Sequence, residues 1–148
     1  MDMVHELRCT TRPSSIPLVH DFIDHCLGAL DPENAWLPDV HIIADELASN
    51  IEKFAYGSET GPYMIRLSVV MNFIMFDFED RGMEFDPTQV ILFPLNYDHD
   101  RPVGKLGILL ARSLADRMEY FRRDERNVTT ITIQFTDGSI QQRVKKDV

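Results

Sequence analysis

Asp45-Glu46-Leu47-Ala48-Ser49-Asn50-Ile51-Glu52-Lys53-Phe54-Ala55-Tyr56 reads as part of a helix with two stripes. Val40, Ile43, Leu47, Ile51 and Phe54 recur at three- and four-residue steps, the spacing that turns apolar side chains to one face. Glu46, Asn50 and Lys53 each stand one position before a core member, about 100° around the helix from it, on the border between buried and wet surface. A carboxylate, an amide and an ammonium on that border are in place to meet a ligand without being sealed inside. The plain alternative is that they are solvated side chains of an ordinary amphipathic helix.

On the N-terminal side, Met3 to Cys9 reads as a short strand and Thr10 to Ser15 as a breaker region. Ser14 and Ser15 are N-cap candidates for a helix whose stripe is Val19, Phe22, Ile23, Cys26, Leu27 and Leu30. His20 and His25 lie off that stripe; local sequence offers them no metal-ligand partners, so they read as surface histidines. Asp31-Pro32 closes this helix, and Pro38-Asp39 opens the one quoted above.

On the C-terminal side the period changes to two. Tyr63, Ile65, Leu67, Val69 and Met71 alternate with Met64, Arg66, Ser68 and Val70, and a second strand runs from Phe73 to Asp80. Ile74, Phe76 and Phe78 share a face, and parity turns Asp80 toward the same covered side, where an acid needs a partner. Gly82 permits a sharp turn. Thr88 to Val103 has no clean period and reads as a long loop with room for a helical turn: a lid, a binding loop or a disordered segment. Gly104-Lys105-Leu106-Gly107 then opens a third helix, with Leu106, Leu110, Ala111 and Leu114 expected on its apolar face. Glycines there are either turn chemistry or a means for backbone N–H groups to approach a phosphate. Met118 to Phe121 and Val128 to Phe135 read as two strands around a charged turn.

The chain has 148 residues, 44% of them apolar, enough for one domain with its own core. Residues 1–136 are expected to form that domain and 137–148 a flexible tail. A formal charge of −9 argues against direct nucleic-acid binding and for a protein or metal-nucleotide partner. Cys9 and Cys26 make neither a metal nor a disulfide spacing. No run approaches a membrane span and the first residues lack a signal-peptide pattern, so a soluble cytoplasmic domain without membrane contact is expected.

In chain order the candidates are Glu46, Asn50 and Lys53, then Asp80-Arg-Gly-Met-Glu-Phe-Asp-Pro87, the loop, and Arg101-Pro-Val-Gly-Lys-Leu-Gly107. This set resembles the N, G1 and G2 boxes of the Bergerat-fold (GHKL) ATPases over about 38–135, and most closely the small bacterial anti-sigma factor serine kinases. The resemblance implies an α+β two-layer sandwich, with a mixed, mostly antiparallel sheet covered on one face by about three helices. It implies ATP or ADP with Mg²⁺, Asn50 supplying the metal an amide oxygen. Glu46 would be the general base. Asp80 would accept from the adenine amino group, Gly82 would let the base come close, and Thr129 or Thr130 would support it. Gly104, Lys105, Leu106 and Gly107 would meet the phosphates, with Lys53 and Arg101 neutralising charge. The second box departs from the superfamily's Asp-x-Gly-x-Gly at Glu84, and Lys105 replaces a glycine often found in the third. The activity implied is transfer of the γ-phosphate to a serine of a STAS-type anti-anti-sigma protein, with a sigma factor as second partner and a homodimer as assembly. A nucleotide-gated binding regulator without chemistry is the competing reading.

Overall fold

The computed structural model describes residues 3–30, 35–91 and 105–135. Five strands, β1 (Met3–Thr10), β2 (Pro62–Val70), β3 (Phe73–Asp80), β4 (Arg117–Arg123) and β5 (Arg126–Gln134), form one sheet in the order β1-β2-β3-β5-β4. Three helices, α1 (Ser15–Leu27), α2 (Leu37–Phe54) and α3 (Lys105–Leu114), complete the two-layer α+β architecture. The sheet was expected to be mixed; all its pairings among the described residues are antiparallel. No helix among these residues is long and apolar enough to cross a membrane. The expected tail, 137–148, and the loop from 92 to 104 lie outside the described residues.

Strand parity builds the core. Ile65 and Leu67 on β2, Ile74, Phe76 and Phe78 on β3, and Ile131 and Ile133 on β5 are buried toward the helices. The opposite parity stays polar, as in the cross-strand set of Glu6, Arg66, Asp77 and Thr130. Two hairpin turns fix register. Met71 joins β2 to β3 with φ 57°, and Asp124 and Glu125 join β4 to β5 with φ 53° and 61°, the left-handed geometry of tight two-residue loops.

Helix α2 buries Val40, Ile43, Leu47 and Ile51 as its spacing predicts, whereas Phe54 remains 36% exposed. Helix α3 differs from expectation. Ile108 and Ala111 face the core, and Leu106 and Leu110 are exposed. Ala111 and Leu114 of the expected stripe do reach the core, and Ile108 takes the place of Leu106 and Leu110; the short sequence carries two overlapping apolar stripes, and packing on α2 selects between them.

The end of β3 is fastened to the end of α2. The Met83 N–H donates to the Ala55 carbonyl at 2.9 Å, and the Arg81 N–H donates to the Tyr56 hydroxyl at 2.8 Å, which itself donates to the Pro62 carbonyl. Gly82 lies between these bonds, and a Cβ there would overlap the Ala55 carbonyl. Backbone cannot yield as a flexible side chain does. Gly82→Ala is therefore expected to destabilise the fold by about 1–3 kcal/mol in urea titrations. Gly28→Ala, whose added Cβ meets nothing within 4 Å, should be neutral or mildly stabilising.

Candidate functional site: a cleft between α2 and the β3–β5 strand ends

A cleft of about 190 Å³ opens beside α2. Leu47, Asn50, Ile51, Phe54 and Ala55 form one wall. Phe78 and Asp80 of β3, with Asn127 and Thr129 of β5, form the floor. Met83, Glu84, Phe85 and Pro87 from the segment after β3, and Ile108 of α3, complete the lining. Apolar walls with a few fixed polar groups suit a flat, partly apolar ligand.

Asp80 is the most tightly held of these groups. It is 7% exposed, and its Oδ1 accepts from the Gly82 N–H at 2.8 Å and from Asn127 Nδ2 at 2.9 Å. Both bonds fall on one oxygen, leaving Oδ2, among the described residues, as the acceptor available to a ligand. Burial pushes the carboxyl up from its ordinary value, opposed by the hydrogen bonds of Asn127 and Gly82 and by the nearby Arg122 charge.

Asn127 is the functional residue that the sequence reading missed. Its Nδ2 also donates to the Met83 carbonyl at 2.9 Å, while its Oδ1 accepts from the Tyr120 hydroxyl at 2.6 Å and from Arg122 at 2.9 Å. It pairs directly with Asp80 across the β3–β5 ladder. The signal was parity. Residue 127 shares the face of Thr129, Ile131 and Ile133, so a polar side chain there points inward, but a strand read as starting at Val128 hides it. Parity also decides between the two threonines: Thr129 is buried in the cleft, and Thr130 bonds Asp77 on the outer face.

Asn50 lines the cleft, and its Oδ1 is buried with no hydrogen-bond partner among the described residues. Glu46 is half-buried one turn earlier but points to α3: a Cβ on Gly107 would overlap its Oε2. Gly107 thus makes room for Glu46. Gly82, expected to let the base come close, is pressed against Ala55 and lies outside the described lining. Lys53 is exposed and also outside the lining. It lies in the last turn of α2, where a cation complements the helix dipole. Leu106 is exposed at the start of α3. Arg101, Gly104 and the side chain of Lys105 lie outside the described residues. Glu84 does line the cleft, adding a carboxylate as its position suggested.

The sequence profile of the histidine kinase-like ATPase domain matches residues 9–133. The chain belongs to that family. No curated protein matches it. The RsbU and RsbW domains of Rv1364c from Mycobacterium tuberculosis resemble this ATPase domain with a TM-score of 0.63 and 11% identity, over 89% of this chain and 32% of that one. The Acinetobacter baumannii histidine kinase AdeS resembles it with a TM-score of 0.50 and 12% identity, over 89% of this chain and 68% of that one. At such identities the likeness is one of fold, and the chain spans about a third of the first neighbour's length.

The family implies nucleotide binding, usually with Mg²⁺, and the donors present fit that ion. Mg²⁺ takes hard oxygen ligands and retains several waters, so the Asn50 Oδ1, unpaired among the described residues, is a suitable single protein ligand. No cluster of three or more His, Cys, Asp or Glu side chains that could hold an ion occurs among the described residues.

Two outcomes follow from this geometry. Because the folded Asp80 carboxyl is raised above its ordinary 3.8, the proton is bound more tightly in the native state. The associated stabilisation is full at lower pH and is lost as pH rises through the raised value. Asp80→Asn is expected to flatten that part of the pH–stability curve, measured by urea unfolding of the nucleotide-free protein. Gly107→Ala should leave the melting temperature within a few degrees of wild type, since the atom displaced is the free end of Glu46. It should nevertheless lower any activity that needs the Glu46 carboxylate in its present position, read as turnover at saturating ATP.

Proposed function

We propose that this ATPase domain is an anti-sigma factor serine kinase. In this reading it transfers the γ-phosphate of Mg-ATP to a serine of a STAS-type anti-anti-sigma protein and sequesters a sigma factor, as a homodimer in the cytoplasm. The observation that carries the reading is the pairing, across one cleft, of a buried carboxylate with a free oxygen and a buried amide oxygen with no partner. The first suits an adenine amino group and the second suits a hard cation. The RsbW domain in the structural neighbour supports the anti-sigma branch by analogy of fold.

The roles follow from chemistry. Asp80 accepts from the adenine amino group while Asn127 holds its carboxylate in orientation. Thr129 supports the base from β5, and Phe54 and Phe78 supply apolar contact. Asn50 holds Mg²⁺, which when bound offsets charge on the phosphate oxygens. Glu46 accepts the proton of the serine hydroxyl as the serine oxygen bonds to the γ-phosphorus. The bond from phosphorus to the bridging oxygen breaks, and ADP leaves. Arg101, Lys105 and the Gly104–Gly107 backbone are proposed to meet the phosphates, and Lys53 retains a weaker claim.

A second reading keeps the nucleotide and removes the transfer. It is favoured by Glu46 resting on Gly107 outside the cleft lining, and by Glu84 inside it. Incubation with γ-labelled ATP, Mg²⁺ and the cognate STAS-type protein separates the two. Transfer to serine is expected, with Glu46→Gln lowering its rate roughly 10²- to 10⁴-fold while ATP still raises the melting temperature. Thermal stabilisation by ATP without any labelled product would establish the binding regulator.

A further inference from the structure

Alternation along β4 turns Tyr120 and Arg122 to the face that carries Thr129 and Asn127 of β5, their ladder partners, and turns Glu119, Phe121 and Arg123 to the other. Arg122 lies outside the lining of the cleft, yet its guanidinium reaches the groups that fix Asp80. Its Nη1 donates to Asn127 Oδ1 at 2.9 Å and to the Gly82 carbonyl at 3.2 Å. Both acceptors are neutral. Other arginines of the sheet find carboxylates, Arg66 with Glu6 and Arg126 with Glu79, as expected in a chain with 24 acidic and 15 basic residues. Among the described residues Arg122 pairs with none.

The bonds from Arg122 run in one direction. A guanidinium only donates, so Asn127 presents its oxygen to it, and Nδ2 is left to donate to Asp80 Oδ1 and the Met83 carbonyl, each at 2.9 Å. A cation at the oxygen end of an amide draws electron density toward itself and makes the N–H at the other end a stronger donor. The charge of Arg122 therefore acts on Asp80 through Asn127 without entering the cleft. The Tyr120 hydroxyl donates to the same Asn127 oxygen at 2.6 Å, and burial, then the charge of Glu84, push that hydroxyl up so that it keeps its hydrogen. Two further groups face Asp80. Glu79 beside it on β3 opposes its ionisation, and Tyr56, past the end of α2, is kept a neutral phenol chiefly by burial.

We propose that Arg122 is a positioning residue that acts through Asn127 to hold Asp80 as a carboxylate, and so sets the cleft to select a ligand edge that donates a hydrogen over one that accepts. For its ligand, the amino edge of adenine, this inference rests on the proposed nucleotide site; for its electrostatics it rests on the geometry alone. An ionised Asp80 offers Oδ2 as an acceptor, whereas a protonated one would offer O–H to a carbonyl edge. Burial pushes the Asp80 carboxyl up, so its charge state depends on what its neighbours supply. Arg122 is the cation among them.

Titration calorimetry of the full chain with ATP and with inosine triphosphate, each with Mg²⁺, tests the selection, because the second carries a carbonyl where adenine carries its amino group. Arg122→Met is expected to weaken ATP binding about tenfold and inosine triphosphate by less, so that the preference narrows. Arg122→Lys, which returns the charge without the planar fork, should recover part of it. Tyr120→Phe removes a neutral donor from the same oxygen and should narrow the preference less than Arg122→Met does. Arg123→Met, whose guanidinium lies over the Phe121 ring on the opposite face, should bind both nucleotides as wild type. A second readout needs no nucleotide: the ¹³C shift of the Asp80 carboxyl, followed against pH, should titrate at a higher pH in Arg122→Met than in wild type. Nucleotide-free melting curves report whether the variants fold, and Arg122→Gln, which keeps a donor and removes the charge, replaces Arg122→Met if that variant does not. An unmoved carboxyl titration or an unchanged preference overturns the role of Arg122, even where ATP binding bears out the nucleotide site. If the wild type binds neither nucleotide, the functional reading fails and the carboxyl titration decides alone: a shift restored by lysine supports the role of Arg122, and no shift overturns it.

Discussion

The whole cleft depends on the close approach of β3 to the C-terminal end of α2. The Met83 N–H bonds the Ala55 carbonyl over a residue with no side chain, and Tyr56 accepts from Arg81 on the other side of it. Those bonds do more than satisfy backbone groups at a helix end. They set the height at which Asp80 emerges from the sheet relative to Asn50 on the helix. A wider separation would leave two unrelated polar residues; a narrower one would close the space between them. Gly82 is needed for that approach, and so serves the site without lining it.

Once α2 and β3 are fixed, the polar groups between them are held in states that water would not choose. Asp80 is buried against a desolvation cost only partly offset by Asn127 and Gly82, and Asn50 leaves an oxygen unpaired. A buried polar group without its partner costs about 1–3 kcal/mol. Such departures from an otherwise consistent core are where function is expected, because a ligand that supplies the missing partner recovers the cost as affinity. The network of Tyr120, Arg122 and Asn127 is the opposite kind of structure: hydrogen-bonded within itself and directed at a single oxygen of Asp80. It restricts where a donor can arrive.

What was legible in the sequence follows from how local each signal is. Period-two alternation placed β2 and β3, and parity alone turned Asp80 inward. The border position of Asn50 was also a local fact. Lys53 lies outside the described lining, because a stripe on a helix says which side chains neighbour one another, not how far along the axis the cleft extends. The face of α3 was ambiguous because both stripes fit ten residues, and only α2 could choose. Asn127 was lost to a strand boundary set two residues late. The pairing of His20 on α1 with His41 on α2, Nδ1 to Nδ1 at 2.7 Å, was invisible for a different reason: each histidine's partners sit on another helix, and no pattern within either segment announces the pairing.

Charge gives the remaining constraint. No lysine or arginine lines the described cleft, while Asp80 and Glu84 do, and Glu46 stands beside α3. A triphosphate entering such a site, in a chain of net charge −9, would meet the carboxylates of Asp80 and Glu84 with no cation in the described lining. Asn50 cannot relieve that by itself, since an amide oxygen is another acceptor. An unpaired acceptor becomes an asset only when a cation arrives with the anion, so the electrostatics favour a metal-bound nucleotide over the free one. Along α2 the three border residues occupy separate places: Asn50 lines the cleft, Glu46 stands at the junction with α3, and Lys53 lies exposed in the last turn.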